Sequence, residues 1–175
     1  PKRGQKMKNA AGLGSMGFGL PYSIGACLAN GGRRTILING DGAFQMNIQE
    51  LETLVRLNLP VKIFIWNNAG YASIRSMQNN NFGGFQVASG ESSGLSMPDT
   101  VKVAEAYGLK TFRVSDNHQL EQEMEQILNT DGPVLCEVMI SPDETVSPRT
   151  KTIMHEDGTM ESYPLEKMWP CVECE

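Results

Sequence analysis

The sequence predicts an α/β domain of three layers, a mainly parallel sheet with helices on both faces. Three observations carry this. Runs rich in β-branched residues alternate along the chain with segments of helical character. Two successive runs end in oxygen-bearing residues, Asp41 after the first and Asn68 after the second, and open α/β sheets hold ligands at the carboxyl ends of their strands. The chain has 175 residues, 40% hydrophobic and 20% charged, which suffices for one sizeable core and is ordinary for a soluble globular protein.

Residues 1–10 are expected to be a linker or a truncation scar, residues 11–145 the domain, and residues 146–175 a carboxyl-terminal extension. The start is basic (Lys2, Arg3, Lys6), but no uninterrupted apolar run follows it, so no signal peptide is expected. The small, apolar stretch Tyr22–Ala29 predicts a helix, with Pro21 in its first turn and Gly31-Gly32 ending it. Its small residues suit close packing. Thr35–Asn39 predicts the first strand. Ile48, Leu51, Leu54 and Val55 recur at helical spacing, which predicts a helix over Asn47–Leu57. Leu59-Pro60 then turns the chain into the strand Val61–Trp66, and the unit so formed calls for a right-handed crossover. Gln78–Ser96, rich in Asn, Gly and Ser, predicts a long loop, partly disordered in isolation. Pro98 opens a helix over Asp99–Tyr107, and Thr111–Val114 is a short strand. Gln119–Leu128 predicts an acidic amphipathic helix with Leu120, Met124, Ile127 and Leu128 inward, and Pro133–Ile140 a buried strand.

The two strand ends name a chemistry. Asp41 offers an anionic oxygen, Asn68 a neutral carbonyl oxygen, and the backbone carbonyl of Gly70 a third. Three oxygens on one side suit Mg²⁺, which takes its other ligands from phosphates and water. Gly40 and Gly42 flank the acid without a Cβ, so a phosphate can approach the backbone there. The helix expected from Asn47 points its amino end at the same place, which favours an anion. Gly-Asp-Gly alone also fits a tight turn with a solvated Asp; the Asn67-Asn68 pair at the next strand end makes a ligand site the better account.

Gly-Asp-Gly, a spacer and Asn-Asn, with Asp41 and Asn68 27 positions apart, resembles the signature of thiamine-diphosphate-dependent enzymes. Upstream, Gly12-Leu13-Gly14-Ser15-Met16-Gly17-Phe18-Gly19-Leu20-Pro21 resembles a segment of acetolactate synthase large subunits. The resemblance runs from residue 11 to about Ile140. It implies Mg²⁺ held by the side chains of Asp41 and Asn68 and by the Gly70 carbonyl. Gly40, Gly42 and Ala43 would line the diphosphate, Gly14, Met16 and Met46 would lie against the cofactor, and Tyr71, Ala72, Ser73 and Ile74 would face cofactor or substrate. It also implies 2-oxo acid decarboxylation and carboligation, a step of branched-chain amino acid biosynthesis. The activating glutamate would come from a separate pyrimidine-binding domain, in the same parent chain or on a separate subunit, and a homo-oligomer is expected. No catalytic residue is assigned to this chain, and alone it is expected to be inactive.

The chain departs from the synthase pattern in three places. Synthases read Gly-Asp-Ala-Ser-Phe where this chain has Gly40-Asp41-Gly42-Ala43-Phe44, closer to decarboxylases and related lyases. Ser73 and Met77 stand where synthases carry a Met-Val segment and a Trp that shapes acceptor preference. The tail Ser147–Pro170 differs from the usual synthase ending. Two alternatives follow: a non-catalytic cofactor-binding or assembly module, and a decarboxylase subunit that needs a pyrimidine-domain partner. A plain nucleotide-diphosphate binder lacks its Gly-x-Gly-x-x-Gly fingerprint after a strand.

A net charge of −5 without basic runs argues against nucleic acid. No apolar stretch reaches membrane-spanning length. Cys27 and Cys136 sit in apolar surroundings and are expected as buried core thiols; Cys171-x-x-Cys174 is expected to be a frayed tail. The whole suggests a reducing, cytoplasmic setting. His118, His155 and the Glu121, Glu123, Glu125 run are read as surface, Glu50 and Glu52 as surface or interface, Trp66 as core packing, and Asn67 as a loop-pinning residue.

Overall fold

The computed structural model describes residues 2–10, 12–144, 147–150, 152–166 and 168, with the side chain of Gln119 left out. The Cys171 and Cys174 expectation therefore lies outside the described residues. Four parallel strands form one sheet in the order β1 (Thr35–Gly40), β2 (Val61–Asn67), β4 (Val134–Met139), β3 (Lys110–Val114). Side chains alternate across a strand, so burial sorts the sheet into two faces. Leu37, Val61, Ile63, Ile65 and Leu135 pack on one face beneath α1 (Gly19–Ala29), α2 (Asp41–Phe44), α3 (Leu51–Arg56) and α5 (Thr100–Ala106). Phe64, Val134, Cys136 and Val114 pack on the other beneath α6 (Leu120–Asn129). The predicted three-layer α/β fold is the fold observed.

Cys27 and Cys136 are fully buried free thiols, and burial pushes the Cys136 thiol up to about 12. Trp66 departs from its core expectation: it is 48% exposed, as are Ile36 (53%) and Ile38 (58%) on the same sheet face. In α6, Ile127 is buried and Met124 packs beneath it, but Leu120 stays exposed.

Helical winding starts at Asp41, directly after β1, and not at Asn47 as the periodicity predicts. Asn47 instead interrupts it, at φ −142° and ψ 34°, and donates through Nδ2 to the Gly17 carbonyl (2.7 Å). An Asn side chain bonded to backbone elsewhere competes with regular winding. The apolar stripe survives the bend, because Leu51 and Leu54 are fully buried with Ile48 and Val55 beside them.

The expected loop Gln78–Ser96 is shorter than predicted. α4 (Ala72–Asn81) takes its first residues despite three consecutive asparagines. Gln78 bonds Val87 backbone in both directions (3.0 and 3.3 Å), and Gln86 donates to Asn79 (2.8 Å), so amide side chains fold the loop onto the helix. A hairpin, β5 (Thr152–Met154) and β6 (Met160–Ser162), closes around Asp157-Gly158, a turn whose dipeptide the sequence displays.

Asp99 caps α5 by accepting from the Lys102 N–H (3.1 Å), and Arg113 bonds the same oxygen (3.2 Å). Asp99→Ala is expected to cost about 1 kcal/mol in urea denaturation. The Lys102 N–H, and then the Arg113 charge, hold the Asp99 carboxyl below its ordinary 3.8. Its contribution is therefore complete above pH 3.8 and fades as pH falls through the lowered folded value. A stability gap between wild type and variant that widens with acid would contradict this.

Candidate functional site

Parallel strands put all carboxyl ends at one sheet edge, and β1 and β2 are neighbours there, with Gly40 opposite Trp66. Asp41 follows immediately and is 1% exposed. Its carboxylate holds two loops at once. Oδ1 accepts from the Gly42 N–H (2.9 Å) and Oδ2 from the Gly70 N–H (2.9 Å), which ties the turn after β1 to the loop after β2. Burial raises the Asp41 carboxyl above its ordinary value, against the lowering pull of the Gly70 and Gly42 bonds and the Arg75 charge. A buried carboxylate in that state favours a bound cation. Asn68 Oδ1 is buried without a hydrogen-bond partner, which is unusual for a native acceptor. Asn39 Nδ2 and Gln45 Nε2, on either side of Asp41 in sequence, are buried donors in the same condition.

Gly70 sits at φ +137°, and a Cβ there would collide with the Ser89 carbonyl. Tyr71 N–H donates to that same carbonyl (3.0 Å). The Tyr71 ring covers Gly42, and a Cβ on Gly42 would overlap it. The Cβ direction of Gly42 is filled by the Tyr71 ring, whereas that of Gly40 opens onto free space.

Two braces fix the loop from behind. Asn67 donates through Nδ2 to Glu137 Oε1 (2.7 Å) and accepts the Ala69 N–H (3.0 Å), so it pins the loop as its position suggests. Glu137 is 1% exposed and takes Arg113 Nε on its other oxygen (2.6 Å). Arg75, on α4, donates to the carbonyls of Ser89 (3.1 Å), Asn68 (3.0 Å) and Pro142 (3.0 Å), three separate loops. Arg75→Met is expected to lower stability by about 2 kcal/mol, since charged hydrogen bonds are among the stronger ones, with Arg75→Lys recovering part. Urea denaturation would read this; a loss under roughly 0.5 kcal/mol, the range of an ordinary surface change, would refute the brace.

The remaining sequence-predicted residues fall around this centre. Asn47 bonds the Gly17 carbonyl, and Gly17 lies against Met46, so the segment carrying Met16 meets the turn carrying Met46. Met16 and Met46 are 40% and 49% exposed. Gly14 is exposed farther out on that segment, Ala43 is half-buried in α2, Ala72 opens α4, and Ser73 is exposed on its first turn. Glu52 is exposed and Glu50 half-buried; His155 pairs with Glu161 (3.0 Å) on the hairpin, away from these residues in sequence.

The donor set is all oxygen: the Asp41 carboxylate, the orphaned Asn68 carbonyl and backbone. Such a set can hold a hard cation such as Mg²⁺. Among the described residues no group of three or more His, Cys, Asp or Glu could hold a metal ion. Over residues 1–138 the chain matches the family model described as "Thiamine pyrophosphate enzyme, C-terminal TPP binding domain". The chain belongs to that family.

This thiamine diphosphate (pyrophosphate) enzyme domain is 38% identical over 143 residues to the acetolactate synthase large subunit of Cyanidium caldarium, covering 82% of this chain and 24% of that protein. It is 35% identical over 166 residues to acetolactate synthase isozyme 2 large subunit of Escherichia coli (strain K12), covering 95% of this chain and 29% of that one. With the probable acetolactate synthase large subunit of Methanococcus aeolicus it shares 33% over 162 residues, 91% of this chain and 26% of the other. The domain spans about a quarter of the length of the curated relatives it matches. Among the described residues no helix is long and apolar enough to cross a membrane.

Sequence reasoning assigned no role to Arg75, Glu137, Asn39 or Gln45. For Glu137 a signal existed: a lone acid in the apolar run Val134–Met139 must find a partner when buried. Arg75 carried no such local mark.

Proposed function

We propose that this domain binds the diphosphate end of thiamine diphosphate through Mg²⁺, as the carboxyl-terminal part of an acetolactate-synthase-like enzyme acting on 2-oxo acids. The observation that carries the reading is the Asn68 carbonyl, buried without a partner on a loop bonded to the Asp41 carboxylate. Asp41, Asn68 and the Gly70 carbonyl would be the metal ligands. Gly40, Gly42 and Ala43 would border the diphosphate, and Met16 and Met46 would lie against its organic part with Gly14. Tyr71, Ala72 and Ser73 would border the site along α4. When bound, thiamine diphosphate supplies the electron sink for decarboxylating a 2-oxo acid and joining the product to a second carbonyl.

The chain's own residues hold, orient and shield. Asp41 supplies the charge that the metal compensates. Asn67, Glu137 and Arg75 keep the loop in one shape, so little ordering is left for binding to cost. No residue of this site is assigned as a proton acceptor for the cofactor ring, and a pyrimidine-type domain would supply that glutamate. The exposed Ile36, Ile38 and Trp66 on one sheet face give such a partner, or a second copy, an apolar surface to cover. By itself the domain should form no acetolactate from pyruvate at enzyme-like rates.

Calorimetric titration of the chain with thiamine diphosphate tests this. Heat of binding is expected with Mg²⁺ and not with a chelator present. Equal binding in both, or none in either, would defeat the proposal for this chain.

A further inference from the structure

We propose that Ser93 is a positioning residue for the loop after β2: its hydroxyl shapes the segment 88–95 into a strap that holds Asn68 and Gly70 in the arrangement Mg²⁺ requires. The role toward the metal rests on the cofactor reading above. The strap's hold on the loop rests on its contacts alone.

The loop that carries the proposed ligands is strained. Ala69, between Asn68 and Gly70, sits in the left-handed region at φ +59°. An alanine stays there only where its surroundings hold it. Asp41 holds one side, through the Gly70 N–H. The strap holds the other. Gly70 pairs with Gly90 in an antiparallel bridge. The carbonyl of the buried Ser89 accepts both the Tyr71 N–H (3.0 Å) and Arg75 Nη1 (3.1 Å). The Leu95 side chain lies beside Gly70 and the Met97 methyl beside Gly42, so the chain from 88 to 97 backs both halves of the site. Ala88, where the strap begins, is itself left-handed at φ +47°.

One side chain accounts for this shape. Ser93 ends a short 3₁₀ turn, Glu91–Ser93. Its Oγ accepts from the Ser89 N–H (2.9 Å) and the Gly90 N–H (3.0 Å) and donates to the Gly90 carbonyl (3.0 Å). Those three bonds match a hydroxyl's one proton and two lone pairs; the Ser89 hydroxyl stands farther off, at 3.3 Å. The Ser93 carbonyl also accepts the Ala88 N–H (2.8 Å), which closes the strap on itself. Both N–H groups bonded to Oγ belong to residues that meet the loop, Ser89 through its carbonyl and Gly90 through the bridge. Removing Oγ leaves two donors without their acceptor and frees the strap to drift from Gly70.

Drift of this kind discriminates between metals. Mg²⁺ demands a near-ideal octahedron, whereas Ca²⁺ accepts flexible geometry. Oxygens that are less well placed therefore lose Mg²⁺ before Ca²⁺. A smaller fraction of folded protein lowers both alike.

The test titrates thiamine diphosphate into the full chain by calorimetry, with Mg²⁺ and with Ca²⁺, for wild type, Ser93→Ala and Ser93→Thr. Ser93→Ala is expected to lose about tenfold in Mg²⁺-supported affinity, the weight of about one hydrogen bond. With Ca²⁺ the loss should stay below about threefold. Ser93→Thr, which keeps an oxygen in place, should recover most of the Mg²⁺ loss. Equal losses with the two metals, or an undiminished Mg²⁺ affinity in Ser93→Ala, would overturn the proposal. Amide hydrogen exchange of the metal-free chain, read by NMR, separates the strap from the cofactor reading. Exchange at Gly70 and Tyr71 should quicken in Ser93→Ala while Ile63 and Leu135 in the core keep the wild-type rate. A uniform increase would mean general destabilisation and would also overturn the role. If Ca²⁺ supports no binding in wild type, this local exchange pattern decides in its place. If wild type binds the cofactor with neither metal, the cofactor reading fails and the positioning role with it. Quickened exchange confined to the loop would then retain only the strap's hold on it.

Discussion

Asp41→Ala is expected to destabilise the free domain by about 2 kcal/mol and to weaken Mg²⁺-dependent thiamine diphosphate binding at least ~100-fold. The stability term follows from the two N–H groups that the carboxylate accepts, from Gly42 and Gly70. Alanine leaves both without that acceptor, at about 1–3 kcal/mol each. Removing a buried charge offsets part of this, because desolvation already raises the Asp41 carboxyl above its ordinary value. The binding term is larger, since the variant loses the anionic ligand and the tie that sets Asn68 and Gly70 in place. Ligand at 100 times its dissociation constant should stabilise the wild type by about 2.7 kcal/mol and leave the variant nearly unchanged. Urea denaturation with and without Mg²⁺ and cofactor reads both quantities. Equal stabilisation of the two proteins would remove Asp41 from the metal site.

Arg113→Met should be the most damaging change away from that centre, at about 3 kcal/mol. Glu137 is 1% exposed, and its carboxylate is shared between Arg113 Nε and Asn67 Nδ2. Losing the guanidinium strands a buried negative charge, whereas the Arg113 side chain, 48% exposed, can return to water if Glu137 is the one replaced. Glu137→Gln should therefore cost less than Arg113→Met, and the double variant less than the sum of the two singles. Because Asn67 is held by the same carboxylate, the Arg113 variant should also bind cofactor more weakly while keeping every proposed ligand. A double-mutant cycle in urea checks the ordering. Additive losses would mean that the two side chains act independently.

Both predictions draw on contacts whose visibility in the sequence differs. The strands and the two oxygen-bearing ends were legible, because each is a local pattern: a β-branched run, then Gly40-Asp41-Gly42 or Asn67-Asn68. The loop-pinning role of Asn67 was legible from its neighbour at the strand end. The start of helical winding at Asp41 was not, since the apolar periodicity begins only at Ile48 and says nothing of the turn before it. Nor was the length of α4, where Gln78 and Gln86 recruit loop backbone across several residues against the weak helix propensity of asparagine. Trp66 reads as core by composition alone. Its exposure depends on α6 packing over β2, β4 and β3 residues, which leaves Ile36 and Ile38 of the edge strand β1 exposed beside it. Arg75 depends on three loops meeting, which no local window contains.

The Tyr71 ring seated on Gly42 links two sites of mutation that lie 29 positions apart. A methyl group at 42 is incompatible with this placement of the ring, and a ring at 71 demands a bare backbone beneath it. The two positions are therefore sterically coupled. Gly42→Ala is expected to cost stability unless the Tyr71 ring moves, and a smaller residue at 71 introduced with it is expected to recover part of that loss.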